Sequence, residues 1–324
     1  MINYRTIFLA LLLFVGACSS QKKKVITLAH GLDQQHSVHL AMLKLGEVLY
    51  EKSGGTMEVR VYPSQQLGNE RELLELLQLG SIDITKVSAA VMENFVPEYR
   101  VFSLPYVFMG KEHAFTVLDG EVGQRILQSG VKVKLHGLGY YDSGSRSFYT
   151  KTQPVQQPSD LDGLKIRVQE SITAMAMVEA LGGAPTPIAF GELYTALQAG
   201  VVDGAENNPP SFYLTRHYEV CRYYSINEHS RIPDVLLMST HTWNRLTDQQ
   251  RLWVEEAVRE SVDYQRVLWE QSEQQALEAV IAHGVEVSYP EKEKFEEKVQ
   301  ALKQTYQKDP IVYQLLMDIE KLKP

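Results

Sequence analysis

The sequence predicts an α/β protein of two lobes bridged by one long helix. Three observations carry this expectation. The N-terminal third alternates strand and helix patterns in the order β-α-β-α-β, the signature of a mostly parallel sheet covered by helices. A second alternation runs from Gly163 to Ser211, read as strand, helix, short strand, helix, strand. Thr247–His283 then forms one helical pattern, which at 1.5 Å per residue spans roughly 55 Å, more than one small domain requires. The 324 residues suffice for two such domains.

Taken in order, Val25–Ala29 is a short apolar strand followed by a turn at His30–Asp33. His36–Glu51 puts Val38, Ala41, Met42, Leu45, Val48 and Leu49 on one helical face, and Gly54-Gly55 stops it. Met57–Tyr62 alternates as a strand until Pro63. Asn69–Leu79 is a second helix with Gly80 after its end, and Ile82–Val87 a third strand. Pro97–Pro105 is irregular and aromatic, Lys111–Ser129 reads as one helix, and Val131–Tyr141 as a strand leading out of the first lobe. Ser145–Lys151 is a strand and Pro154–Gly163 a polar loop. Within the second alternation, strands begin at Leu164 and span Val201–Ala205. Arg222–Ile226 and Asp234–Thr240 are further strands. Thr247 fits a helix N-cap with Gln250 three residues on. Val285–Tyr289 is a late strand, and Lys292–Lys321 is helical with an interruption at Pro310.

Hydrophobic content of 44% and aromatic content of 9% are those of an ordinary globular chain. The net charge of −8, with no basic patch interleaved with aromatics, argues against a nucleic-acid partner. Residues 1–18 read as a leader. Arg5 supplies positive charge, and the apolar run Ile7–Val15 is shorter than the roughly 20 residues that cross a bilayer. Val15-Gly16-Ala17-Cys18 resembles the lipobox of bacterial lipoproteins, which implies cleavage before Cys18 and its acylation. Ser19–Lys24 would be a polar tether, so the mature chain is expected at a membrane surface, anchored rather than inserted. Cys221, the other cysteine, has no metal-site neighbours and reads as a buried thiol.

Two arginines stand out. Arg167 alternates with Ile166 and Val168, so it points either to solvent, with Asp162 as one available structural partner, or into a cleft. There its planar fork would suit a carboxylate. Arg146, just after the Gly144 turn, has the same two readings. Two arginines at one empty cleft would repel each other, which favours an anion between them. The run Glu206-Asn207-Asn208-Pro209-Pro210 is either a polar turn or a set of groups that donate to and accept from hydroxyls. Phe190 is either core or a wall for a ring. His36 and His39 lack a third metal ligand, and no phosphate loop, nucleophile elbow or paired-carboxylate spacing appears. No metal and no cofactor are expected.

Several ordered segments carry a resemblance. They are Tyr62–Arg71, Gly80–Ile84, Phe102–Tyr106, Gly163–Val168, Gly183–Ile188 with Phe190–Tyr194, and Gly200–Asn207. Together they resemble the DctP-type substrate-binding proteins of tripartite ATP-independent periplasmic (TRAP) transporters, from about Val25 to the C-terminus. The resemblance implies the two-lobed periplasmic-binding-protein fold, closing on a ligand, and no catalysis. It implies lobe 1 from residues 25–144 and 233–272, and lobe 2 from 145–232 and 273–324. It casts Arg167 as the partner of a ligand carboxylate, with Arg146 as the second arginine, Asn207 as the ligand-binding asparagine, Phe190 as the pocket aromatic and Glu70 as an acidic group from the first lobe. Ser88 stands where some sialate-binding members carry a glutamate. The Glu206–Ser211 run, including Asn208, with His217 after it, looks like members that bind hexuronates such as glucuronate and galacturonate. Lys86 and His30 are added from position and chemistry as groups for hydroxyls. The expected partners are a carboxylated small molecule and the membrane subunits of a TRAP transporter. The rival expectations are another organic acid, such as a C4-dicarboxylate or sialate, or an enzyme acting on uronates.

Overall fold

A computed structural model describes residues 23–324. The leader, Cys18 and most of the proposed tether lie outside the described residues. Lys24, expected in that tether, opens the first strand, where its N–H donates to Thr56 O.

The first lobe is built on strands β1 (Lys24–Ala29), β2 (Met57–Tyr62), β3 (Ile84–Ser88) and β4 (Leu135–Tyr141). The second carries β5 (Arg146–Thr150), β6 (Lys165–Val168), β7 (Ala184–Pro187), β8 (Gly204–Asn207) and β9 (Tyr223–Ser230). The chain then returns: β10 (Asp234–Ser239) belongs to the first sheet and β11 (Glu286–Ser288) to the second. The first sheet has the order β2-β1-β3-β10-β4, the second β11-β9-β5-β8-β6-β7. In the first sheet β1 pairs parallel with β2 and β3, while β10 lies antiparallel between β3 and β4. In the second, β6 pairs parallel with β7 and β8, and β5 lies antiparallel between β8 and β9.

The expected helices form for local reasons. His36 caps Ser37–Lys52, whose predicted apolar face is buried. Asn69 and Glu72 form a reciprocal capping box on Glu70–Leu79, which ends at Gly80 in the left-handed conformation that glycine tolerates. The single helix expected over Lys111–Ser129 is two, Lys111–Asp119 and Glu121–Ser129. Extended backbone at Gly120 separates them, and the turn back is so tight that a Cβ on Gly123 would lie 2.2 Å from Leu118 O. The strand expected from Val131 starts at Leu135, because Gly130–Val133 forms a 3-10 turn closed by Lys134 at φ 67°. The strand expected over Val201–Ala205 lies at Gly204–Asn207, which brings Glu206 and Asn207 into the sheet.

The long helix, Asp248–Ala282, has 35 residues and is about 52 Å long. Its Val254, Ala257, Val258 and Trp269 pack into the first lobe with Leu28, Met42 and Tyr141, and its Leu277 and Val280 pack into the second with Tyr149 and Phe212. One expectation is corrected. The C-terminal segment was expected wholly in lobe 2, yet Val312, Leu315, Leu316 and Ile319 of helix Pro310–Glu320 pack into the first lobe's core with Phe102, Val117 and Ile126. Their apolar stripe, at i, i+3, i+4 and i+7 spacing, is covered by that core.

The chain therefore passes between lobes four times: at Asp142–Ser145, at Ser230–Pro233, along the long helix near Trp269–Glu273, and at Tyr306–Asp309. Arg231 Nη1 donates to Asp142 Oδ1 at 2.8 Å, tying the first two together. Gln265 exchanges two 2.8 Å hydrogen bonds with the Asp142 backbone, tying the helix to them. Gly144, at φ 59°, passes so close to the helix that a Cβ there would lie 2.5 Å from Glu273 Oε1. Lys303 Nζ reaches Tyr106 O at 3.0 Å, and Tyr106 N donates to His229 O at 2.9 Å, while at the fourth crossing Tyr306 Oη meets Thr173 Oγ1 at 2.8 Å.

Candidate binding cavity between the lobes

The facing ends of the two sheets enclose a cavity. From the first lobe come His36, Gln65, Glu70, Lys86, Ser88 and Asp234; from the second, Arg146, Arg167, Gln169, Phe190, Asn207 and Asn208. The lobes touch around it. Ser88 Oγ lies 3.3 Å from Gln169 Oε1, Asn94 Nδ2 donates to Glu170 O at 2.6 Å, and Gln65 sits where a Cβ on Gly191 would have to be.

Arg167 sits on β6 opposite Thr186 and Ala205, and is 2% exposed. Its Nε donates to Ile188 O at 2.8 Å, while its buried Nη1 has no partner. Phe190 lies 5.9 Å from the guanidinium carbon. Asp162 is not its partner; among the described residues no carboxylate forms an ion pair with it. Burial pulls its pKa below the ordinary arginine value, because Tyr149, Glu206 and Glu70 offset the desolvated charge only in part.

Arg146 is the opposite case. Its Nε and Nη2 grip both oxygens of Glu206, Nη2 also donates to Glu206 O at 2.8 Å, and Nη1 donates to Asn207 Oδ1 at 2.9 Å. Burial opposes its charge, but Glu206 outweighs burial and raises its pKa. The expectation of two arginines repelling each other across an empty cleft is corrected: Glu206 neutralises one of them. That same pair, aided by His229 at 3.4 Å, holds the Glu206 carboxyl at about 2 despite complete burial. Asn207 Oδ1 accepts from both Arg146 and Asn208 N, so its acceptor is spent and its amide N–H₂ is what it has to offer the cavity.

Asn208 lines the cavity but spends its polar ends inside the protein. Its Oδ1 caps helix Pro209–Leu214 by accepting from Ser211 N at 2.9 Å, and its Nδ2 donates to Ser143 O at 3.0 Å. Its role is to hold the turn that aims Asn207.

Opposite lies an acidic group. Lys86 Nζ contacts Glu70 Oε1 at 3.2 Å and Asp234 Oδ1 at 3.0 Å, and Glu70 also accepts from Ser88 N. Burial works against the Lys86 ammonium, but the two carboxylates together hold its pKa above the ordinary value.

Two predicted residues do not reach the cavity. His30 turns into the first lobe, where Nδ1 accepts from Leu32 N at 3.1 Å and Nε2 meets His39 at 2.9 Å. Burial lowers its pKa to about 2, so it stays neutral. His217 stands behind Phe190, ring centroids 6.0 Å apart, with Nδ1 2.9 Å from Tyr149 Oη. The histidine that does reach the cavity is His36. Its Nδ1 accepts from Val38 N at 3.2 Å, so the proton of the neutral ring is on Nε2, and that buried N–H has no partner. The sequence signal was its place just before a helical pattern, an N-cap position. Glu206 was read as part of a polar run but not as the partner of Arg146, and Asp234 was missed; nothing in the sequence pairs either with a cation at its distance along the chain.

The cavity thus presents two buried orphan donors, an amide and an acidic cluster, which suits a ligand with one carboxylate and several hydroxyls. Residues 28–309 match the family described as bacterial extracellular solute-binding protein, family 7 (DctP). An uncharacterized protein of Salmonella typhimurium is 42% identical over 306 residues, covering 94% of this chain and 93% of that one. Among solved structures, a TRAP periplasmic solute-binding protein from Bradyrhizobium sp., in complex with α/β-D-galacturonate, has TM-score 0.90 at 38% identity, covering 92% of this chain and 100% of that one. A second, from Chromohalobacter salexigens with bound D-glucuronate, has TM-score 0.90 at 32% identity over the same shares. With the match covering most of the chain, this protein belongs to the DctP family of extracellular solute-binding proteins of TRAP transporters.

Proposed function

We propose that the protein captures a hexuronate outside the cytoplasm, by closure of its two lobes, and delivers it unchanged to the membrane subunits of a TRAP transporter. One observation carries the reading: a fully buried guanidinium, Arg167, with an unpartnered Nη1 and no counterion, facing a cavity otherwise furnished for hydroxyls. A buried lone charge is costly, and a ligand carboxylate is the partner that removes that cost. The hexuronates bound in the similar structures support the same chemistry. Arg167 would take the carboxylate; Asn207, His36 and Glu70 would take hydroxyls; Phe190 would cover the ring. Ligand binding better to the closed form would shift the lobes toward it. Lobe 1 would comprise residues 24–144 and 233–272 together with the C-terminal helix Pro310–Glu320, and lobe 2 residues 145–232 and 273–309.

Calorimetric titration with D-glucuronate and D-galacturonate tests this. A saturable, one-to-one response with ligand recovered chemically intact is expected. No binding of either acid, or its conversion to product, would overturn the reading.

The lipobox-like run at Cys18 supports anchoring of the mature chain to a membrane surface through an acylated cysteine. Expressed in a bacterial host, the wild type should partition with membranes and Cys18→Ser should be released as soluble protein. Equal solubility of the two would remove the anchor from the proposal.

A further inference from the structure

Arg146, Arg167, Lys86, Glu70 and Asp234 line the interior of the cavity, Glu206 stands behind Arg146, and the charges of these six balance in number but not in place. Arg146 and Glu206 cancel in one two-pronged pair. Arg167 stands alone, one positive charge in surplus. Lys86 faces two carboxylates, Glu70 at 3.2 Å and Asp234 at 3.0 Å, which leaves one negative charge in surplus. The side chains of Lys86 and Asp234 are 3% and 7% exposed, so water screens this surplus poorly. Arg71 and Glu170 also line the cavity, and their opposite signs add no net charge.

We propose that Glu70 and Asp234, sharing the single ammonium of Lys86, set the charge of the ligand: the cavity takes acids with one carboxylate and with hydroxyls opposite it, and rejects the diacid of the same skeleton. The inference rests on the hexuronate reading for its ligand and goes beyond it in naming what enforces selectivity. A carboxylate is acceptor-only, so spare lone pairs on Glu70 and Asp234 accept from ligand hydroxyls in charge-assisted bonds. A second carboxylate on the ligand would oppose those same oxygens with like charge and no proton between them. Selectivity here is repulsive: the surplus carboxylate costs nothing with a hydroxyl and much with an anion. Crowding is visible in Asp234 itself, whose pKa is raised by burial and by Glu70 against the pull of Lys86.

The test is calorimetry at neutral pH with galacturonate and with galactarate, the open-chain diacid of the same carbon skeleton, on the wild type, Asp234→Asn and Glu70→Gln; the loss of the ring is common to wild type and variants, so the change between them reads the charge. The wild type should prefer the monoacid by about a hundredfold, given the cost of like charges brought together in a desolvated site. Each variant removes the surplus charge and should narrow that preference about tenfold, by gain of the diacid. A wild type that binds both acids equally, or a preference that neither variant narrows, would overturn the inference. If no hexuronate binds, the acid released from freshly purified protein replaces galacturonate in the same comparison. A released monoacid preferred over its diacid keeps the inference while the hexuronate reading fails; a released diacid overturns both.

Discussion

Arg167→Ala is expected to weaken hexuronate binding by at least about a hundredfold, since losing one partner of a buried charged pair costs on the order of 3–5 kcal/mol. The same substitution should leave the ligand-free protein no less stable. Among the described residues Arg167 has no ion-pair partner, and its only hydrogen bond there is to Ile188 O, so removing it also removes a poorly compensated buried charge. Calorimetry and a thermal melt of the ligand-free variant read the two halves separately. Near-normal affinity would take the carboxylate away from Arg167. A large fall in ligand-free melting temperature would mean that the arginine is a structural member and not a waiting partner.

Glu206→Ala should do the reverse, acting first on stability. Among the described residues its carboxylate is the sole ion-pair partner of Arg146, with both side chains almost wholly buried. Removing it strands that guanidinium, at a cost of about 3–5 kcal/mol. For a body of this size that corresponds to a fall in melting temperature on the order of 10 °C. The pH dependence follows from the same pair. Burial alone would raise the Glu206 pKa, but Arg146 and His229 overcome burial and lower it from 4.5 to about 2. The stability that this group contributes is therefore complete above the ordinary carboxylate range and is lost as pH falls through about 2. Denaturant melts between pH 7 and pH 2 should show the wild type losing stability at the acid end more steeply than Glu206→Gln. Parallel curves for the two would dissociate Glu206 from acid sensitivity.

The two arginines also show what a sequence can and cannot reveal about a site. Both lie on short strands beside a turn, and both read as candidates for an anion. Their difference is made by one residue, Glu206, which is 60 positions from Arg146 and meets it only because β5 and β8 pair antiparallel. No periodicity carries that information. The acidic cluster is hidden in the same way: Asp234 reaches Lys86 because β10 returns to the first sheet beside β3, opposite Ser88. What was legible was local. Alternating strand and helix patterns, the capping pair Thr247 and Gln250 and the 35-residue helix they open all follow from spacing and end signals within a few turns of chain. The C-terminal helix was misplaced because its apolar stripe says that it must be covered, not which core covers it. His30 was added from position and chemistry alone, whereas its ring is committed to Leu32 N and His39.

Three of the crossings, tied together at Asp142, have a mechanical consequence. A body joined to its neighbour at one point can twist, slide or tilt, whereas three attachments tied along one edge favour a single swing, as of a door. In such a swing each face keeps its own furniture. The Arg167, Asn207 and Phe190 side would depart as one unit, with the Glu70, Lys86 and Asp234 side as the other. On the proposed placement, opening would therefore not loosen the sugar acid gradually. It would pull the two ends of the molecule apart, the carboxylate staying with one jamb and the hydroxyls with the other, so that neither face alone retains a complete grip.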